Sequence, residues 1–384
     1  MDKTNKPPTR NKAEHPSTTK NQPYLLKHVP QDFIVKEIPL PPARTPLEEG
    51  SYLLAELTKE NKETEDVLAE LAKQLRLPRK AIGIAGLKDK RAITTQYITI
   101  RGVTTLPPLT IPGVTITPQG FLNKPLTLGD LAGNAFSITL RNLDKPLTFT
   151  PPAYLVNYFD EQRFSHLNAR IGRSLIRKEW QEACELIMRN NPRYRSALHR
   201  RLQASPKDYT GALSVLPKQV LRIFLHAYPS YLFNELTARY LQKKGFRLHE
   251  DPYSLGTLLF PQHILAKNSS GDHKKVRELA NVLLPLPGFD LASLREKIPL
   301  QAQTLLDELL AEEGISPRDF IIPQLANLSI EGSLRSILAP VTSFSQEPSQ
   351  PDPYFSGAFA KRISFTLPKG SYATMLIRQL FLEV

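Results

Sequence analysis

The sequence predicts an α+β fold in which a strand-containing domain is interrupted by a largely helical one. Three observations lead there. Strand-like segments with period-two alternation occupy both ends of the chain, a helical stretch begins near residue 153, and positive charge gathers in that helical part and at the N-terminus. A chain of 384 residues is long enough to bury a full core, and its length alone points to two or three domains.

Residues 1–22 are polar, contain proline and lack apolar periodicity, and read as a disordered basic arm. Order is expected from Tyr24-Leu25-Leu26-Lys27, followed by a strand over Asp32 to Ile38, a loop over residues 39–46 and a second strand from Ser51 to Leu57. A helix follows, with Thr64 able to cap it and Glu65 and Asp66 suited to the positive end of its dipole. Its apolar face is Val67, Leu68, Leu71 and Leu75, and Pro78 ends it. Ile82-Gly83-Ile84-Ala85 is short and apolar, as a buried strand is. Phe136, Ile138 and Leu140 share one side of a further strand.

The pattern is helical from Asn157 to Gly245, and Leu294 to Glu313 reads as a helical pair. Strand character returns only at Ile363 to Leu367. Pro368-Lys369-Gly370-Ser371 then opens a final helix whose apolar face includes Tyr372, Leu376, Ile377 and Leu380. No internal repeat of fixed period is present.

The formal charge is +13. Residues 1–27 hold six Lys and Arg against two acids, and residues 163–222 hold thirteen against four, so these segments account for the whole excess. Such concentration points to a phosphate-rich partner, with nucleic acid favoured over a membrane surface because no basic segment has a matching apolar face. No apolar run approaches the ~20 residues of a membrane span, and no membrane partner is expected. The N-terminus lacks the apolar core of a secretory signal. The single Cys184 fits a reducing compartment, so a cytoplasmic location is expected.

Several chemistries lack residues. There is no Walker-type loop and no GxGxxG after a strand, hence no visible site for a nucleotide cofactor. The eight histidines are scattered and the cysteine is single, so neither a metal site nor a zinc-dependent base deaminase is expected. No GxSxG elbow occurs. A binder of nucleic acid built this way either only binds, or uses simple acid–base or nucleophilic side chains. The segment Gly86-Leu87-Lys88-Asp89-Lys90-Arg91-Ala92-Ile93-Thr94-Thr95-Gln96 offers the latter, with one carboxylate among three cations in a short turn between two core strands. Cations favour the ionised acid, and a carboxylate serves as nucleophile or base. From local physics alone, a β-turn whose Asp89 balances charge is the simpler reading, and both stand at this level.

Five motifs in order carry a resemblance. Ala85 to Ala92 with Thr94-Thr95-Gln96 resembles the nucleophile motif of the TruD family of tRNA pseudouridine synthases, and Gly133-Asn134-Ala135-Phe136 resembles its GNxF motif. Asn157 to Ser165 is similar to its NYFGxQRFG segment. Leu26-Lys27 ahead of Asp32-Phe33-Ile34-Val35 is similar to its N-terminal lysine and DFxVxE strand, and Leu367 to Thr374 to its LPxGSxAT motif. The resemblance spans nearly the full ordered length.

It implies a discontinuous pseudouridine-synthase catalytic domain, 23–152 and 341–384, with a mostly helical TRUD domain inserted at 153–340. Val341 to Pro353 would be a link back to the catalytic domain. It implies isomerisation of uridine to pseudouridine in tRNA without a cofactor, at position 13, with Asp89 as nucleophile. Lys27 would be its paired cation, Phe136 the ring stacking on the target base, and Asn134 a polar group holding site or substrate. Arg163, and with it Arg170, would meet RNA at the edge of the site. A monomer is expected. Two positions depart from the family pattern, Asp160 and Ser165, each standing where the family has glycine. The alternative is a non-catalytic RNA-binding or tRNA-folding protein on the same fold, and a carboxylate-dependent glycosidase ranks last for want of a second placed acid.

Overall fold

The computed structural model describes residues 22–41, 43, 47–262, 273–325 and 328–384. Residues 1–21 of the basic arm, and residues 42 and 44–46 of the loop after the first strand, lie outside the described residues. The chain is a mixed α+β protein that divides into two compact units. The first comprises residues up to Asp130, Phe136–Thr148 and Ser345–Ser364, and the second Leu131–Ala135, Phe149–Phe344 and Phe365–Val384.

The first unit is built on strands β1 (Phe33–Pro39), β2 (Tyr52–Glu60), β3 (Ile82–Ile84), β4 (Ile93–Arg101), β5 (Val114–Leu122) and β6 (Leu131–Leu143), with helix α1 (Thr64–Gln74) between β2 and β3. In the sheet, β6, β1, β4, β2 and β5 lie side by side, and β3 pairs with β4. β1 runs parallel to β4, with Ile34 opposite Ile93, whereas β2 is antiparallel to both β4 and β5. β6 and the strand Phe359–Pro368 continue from one unit into the other.

Period-two alternation explains the core of this unit. Leu53, Ala55 and Leu57 of β2, Ile82 and Ile84 of β3, and Ile98 and Ile100 of β4 share one cluster with Val67, Leu68, Leu71 and Ala72 of α1. Leu54 points the other way, to Ala43, Leu122 and Leu126. β5 was not expected. Pro118 and Gly120 interrupt its pattern, and its pairing with β2 shifts register between Leu54 and Ala55.

The second unit centres on the helix Lys218–Lys243, which buries Leu221, Phe224, Leu225, Leu232, Phe233 and Leu236. Against it lies the helix Asn168–Ile176, at a close approach that Gly172 permits: a Cβ there would stand 2.2 Å from the Phe224 carbonyl oxygen. Helices Trp180–Asn190, Pro192–Ala204, Tyr209–Ser214, Leu291–Arg295 and Leu300–Glu312 complete most of the helical part, and Ala373–Leu382 closes the chain.

The expectation that strand character returns only at Ile363 is corrected. Leu248–Tyr253 pairs with Gly256–Pro261, Leu283–Leu286 with Ser333–Ser336, and Tyr154–Val156 with Leu338–Pro340. These strands are short, and several carry proline, so sequence periodicity does not reveal them. Val341 to Pro353, read as a link, likewise contains the strands Thr342–Gln346 and Gln350–Pro351. Among the described residues, no helix is long and apolar enough to cross a membrane.

Candidate active site

The turn 85–92 joins β3 to β4, and its backbone is fixed from several sides. Gln96 Nε2 donates to the Gly86 carbonyl at 3.0 Å, and Gly129 N donates to the Ala85 carbonyl at 2.8 Å. Thr64 was expected to cap α1. It instead occupies the first helical position, and its hydroxyl meets both the amide and the carbonyl of Lys88, each at 3.2 Å. The helix start is thereby tied to the turn.

Lys59, on β2, is fully buried. Its ammonium donates to the Asp89 carbonyl at 2.7 Å, to the Lys62 carbonyl at 2.8 Å and to the Lys88 carbonyl at 3.5 Å. Burial pulls its pKa down from 10.5 to about 8, against the opposing pull of the Asp89 and Glu63 carboxylates and with the help of Lys88. Sequence reasoning missed this residue. Within Thr58-Lys59-Glu60 it looks like a solvated lysine near the end of a strand.

The Asp89 side chain is 31% exposed, and its Oδ2 lies 3.2 Å from Lys27 Nζ. Lys27 has a φ of 56°, the left-handed region that only a few per cent of non-glycine residues occupy. The segment leading to it is pinned by paired backbone hydrogen bonds between Leu25 and Arg141, at 2.9 and 3.0 Å. Arg141 in turn forms ion pairs with the buried carboxylates of Asp32 and Asp352. The cations adjacent to Asp89 in sequence behave differently. Lys88 forms a buried ion pair with Glu37, whose other oxygen accepts from the Tyr97 amide at 3.2 Å, while Lys90 and Arg91 are exposed.

Lys27 also lies over the Phe33 ring, 4.1 Å from its centroid, and Phe33 meets Phe136 edge-on at 6.2 Å. Phe136 is buried, 9% exposed. Lys27, Asp89 and Phe136 are thus gathered in the first unit, with Phe33 as an unforeseen link between lysine and ring. The only sequence signal for Phe33 is its place in the Asp32-Phe33-Ile34-Val35 strand start.

Asn134 and Arg163 belong to the second unit. Asn134 follows Gly133, where a Cβ would stand 2.2 Å from the Leu367 carbonyl oxygen, so the motif glycine is required by a close backbone approach. Asn134 Oδ1 is buried and accepts no hydrogen bond among the described residues. Arg163 lies over the Phe159 ring, 5.6 Å from its centroid, and its Nε donates to Ser230 Oγ at 3.2 Å. The departures at 160 and 165 have ordinary backbones, with φ of −81° and −51°, so glycine is not needed at either. Asp160 does not cap the helix Glu161–Phe164 with its side chain; it accepts from Thr374 Oγ1 at 2.6 Å. Ser165 Oγ donates to the Gln162 carbonyl at 3.1 Å.

Among the described residues, no group of three His, Cys, Asp or Glu side chains could hold a metal ion. Cys184 is buried and unpaired, and burial pushes its thiol up to about 12.

A partly exposed carboxylate on a well-held turn, paired with one lysine beside an aromatic pair, is an arrangement able to support nucleophilic or acid–base chemistry. The family model for tRNA pseudouridine synthase D (TruD) matches residues 17–192 and 186–380, and the chain belongs to the TruD family of tRNA pseudouridine synthases, which are isomerases. It is 30% identical to a Methanosarcina barkeri protein named "Probable tRNA pseudouridine synthase D", over 92% of each chain. It is 29% identical to the "tRNA pseudouridine synthase D" of Syntrophotalea carbinolica, over 92% of this chain and 95% of that one. A crystal structure of a TruD protein from Methanosarcina mazei superposes with a TM-score of 0.63 at 26% identity, covering 94% of this chain and 93% of the other.

Proposed function

We propose that this chain isomerises uridine to pseudouridine in tRNA, at position 13, with Asp89 as the nucleophile and no cofactor. The observation that carries the reading is the Asp89 carboxylate, 3.2 Å from Lys27 and on a turn whose backbone Lys59 and Thr64 hold. The reaction conserves atoms. The N1–C1′ bond breaks, the uracil rotates, C5 bonds to C1′ as it loses its proton, and N1 takes up a proton. A carboxylate suits this chemistry because it can attack sugar or base, or accept a proton, and then leave.

Lys27 is the cation paired with the carboxylate, Phe136 receives the face of the target base, and Asn134 supplies a polar group that holds site or substrate. Asp89 cannot reach a base stacked within a helix, so the target uridine is unpaired or extruded. Arg163 and the basic stretch 163–222 hold RNA phosphates, an interaction that weakens with salt. In this reading the catalytic domain comprises 23–152 and 341–384, and the TRUD insertion spans 153–340.

The test incubates the purified chain with an unmodified tRNA transcript and maps pseudouridine chemically. Wild type should give a signal at position 13 and Asp89→Asn none, with tRNA affinity retained. Equal signals from the two proteins would sink the nucleophile assignment. Binding of tRNA with no pseudouridine from either would instead favour the non-catalytic RNA-binding or tRNA-folding protein.

A further inference from the structure

In the second unit, two guanidinium groups share one aromatic ring, and among the described residues no acid pairs with either. Arg335 lies over Phe159 at 4.2 Å from the ring centroid and Arg163 at 5.6 Å. Arg335 Nε donates to the Asn157 carbonyl at 2.9 Å. Its Nη2 donates to Asn157 Oδ1 at 2.7 Å and to the Gly370 carbonyl at 2.9 Å. Its other terminal nitrogen, Nη1, makes no hydrogen bond among the described residues. Nor does any carboxylate among them pair with Arg335 or Arg163; Asp160, the acid nearest Arg163 in sequence, is taken up by Thr374.

Half-buried guanidinium groups, as these are, are commonly paired with an acid. Arg378, in the same unit, follows that rule, with its Nε 2.6 Å from Asp251 Oδ2. Arg335 does not, and its burial, with Arg163 adding to the effect, pulls it down to about 10. The group faces a cavity of about 420 Å³ whose wall includes Asn157, Phe159, Ser333, Lys369 and Ser371. The rest of the wall is largely apolar, with Leu286, Leu334 and Leu338, and no acid lines it. The Phe159 ring and the three hydrogen bonds hold the guanidinium in place, and Nη1 keeps two free N–H groups, a charged donor suited to an anionic phosphate oxygen.

We infer that this cavity is a phosphodiester site, in which Arg335 binds one backbone phosphate of the RNA substrate through its free Nη1. The inference rests on the RNA-modifying reading above and adds to it a specific anchoring residue. Arg335 lies far outside the basic stretch 163–222, and the surrounding Leu334-Arg335-Ser336 carries no charge cluster, so composition gives no hint of it.

The experiment measures binding of full-length protein to unmodified tRNA across a potassium chloride series. Three proteins are compared: wild type, Arg335→Gln and Ser333→Asp. Losing one phosphate contact should reduce the slope of log affinity against log salt by about 0.7 to 0.9 and weaken binding about tenfold at moderate salt. Ser333 is exposed, and its side chain makes no hydrogen bond among the described residues. An aspartate there puts a carboxylate on the wall of the same cavity without removing a contact. Ser333→Asp should therefore reproduce the binding loss while raising the melting temperature, which keeps the test sound should Arg335→Gln misfold. A folded Ser333→Asp protein with wild-type affinity and slope overturns the phosphate site. If pseudouridine formation still depends on Asp89 in that case, the functional reading survives alone. Altered slopes with no pseudouridine from wild type would leave the site standing and remove the reaction. Salt-independent tRNA binding by wild type overturns the site.

Discussion

Lys59 offers the sharpest test of how the Asp89 turn is held. Its ammonium donates to the carbonyls of Lys62, Lys88 and Asp89, and the shortest of these bonds, 2.7 Å, is to Asp89 itself. A hydrogen bond from a charged donor is worth ~1.5–3 kcal/mol, and removing the donor leaves buried carbonyls unsatisfied. Lys59→Met fills the volume but satisfies none of the three. If the strain appears as misplacement of Asp89 in the transition state, 1.4 kcal/mol per factor of ten gives a fall in kcat of about ten- to a hundredfold.

The same lysine gives a pH signature with opposite signs for stability and activity. Its pKa falls from 10.5 to about 8 on folding, chiefly through burial, which corresponds to about 3 kcal/mol. Between those two values the unfolded chain holds a proton that the folded chain has released. Stability from this group therefore rises with pH across that window and is lowest below about 8. Activity runs the other way. A neutral amine has only two N–H groups, so it cannot serve all three carbonyls, and the turn loosens as Lys59 loses its proton. The assay is single-turnover pseudouridine formation from pH 6 to 10, with folding followed by circular dichroism. Wild type should lose activity with an apparent pKa near 8, and Lys59→Met should be slow at every pH and lack that limb. A folded Lys59→Met protein with wild-type kcat and the same alkaline limb would refute the reasoning.

Other expectations follow from the same geometry. Arg141→Met strands the buried carboxylates of Asp32 and Asp352, 1% and 0% exposed at their side chains, and should cost ~3–5 kcal/mol in urea unfolding. Gly133→Ala places a methyl 2.2 Å from the Leu367 carbonyl oxygen; backbone must shift, at ~1–3 kcal/mol, and thermal unfolding should register it. Cys184, buried and with its thiol pushed up to about 12, should resist iodoacetamide at pH 8 in the folded protein and react promptly in urea. Lys27→Met should barely alter urea stability, because a pair this exposed contributes ~0.2–1 kcal/mol, yet should slow pseudouridine formation at least tenfold.

Much of the first unit was legible because its elements obey simple periods. β1 alternates cleanly, β2 and β3 read as short apolar runs, and α1 shows Val67, Leu68 and Leu71 on one face, as found in the core. The helices from Asn168 to Lys243 are equally plain. The short paired strands of the second unit were not, since a segment such as Leu248–Tyr253, with its acids and Pro252, gains its strand character from its partner Gly256–Pro261 rather than from its own residues. In the site, Asp89 stood out locally as one acid among three cations, but only the ordered motifs gave it and Lys27 a role. Glu37 falls at the acid of the DFxVxE strand without a role being read for it, and Lys59 gave no signal. Each looks like a surface charge on a strand, and only the fold of the turn over β2 and beside β1 buries them.

That burial also reverses the simplest account of the turn's electrostatics. Adjacency in sequence put Lys88, Lys90 and Arg91 around Asp89, as though proximity along the chain kept the carboxylate ionised. In space Lys88 is committed to Glu37, while Lys90 and Arg91 point into solvent, where water screens them. Two lysines from other strands and segments divide the work instead: Lys59 takes the Asp89 carbonyl and Lys27 the carboxylate. One holds the backbone of the turn and the other meets the side chain. The Lys27 pair is too exposed, at 23% and 31%, to be justified by the stability it adds, and Lys27 bears a left-handed backbone to form it. A strained residue in a weak ion pair is poor structural economy, but it is sound design if, as proposed, Asp89 is the nucleophile that substrate must still reach.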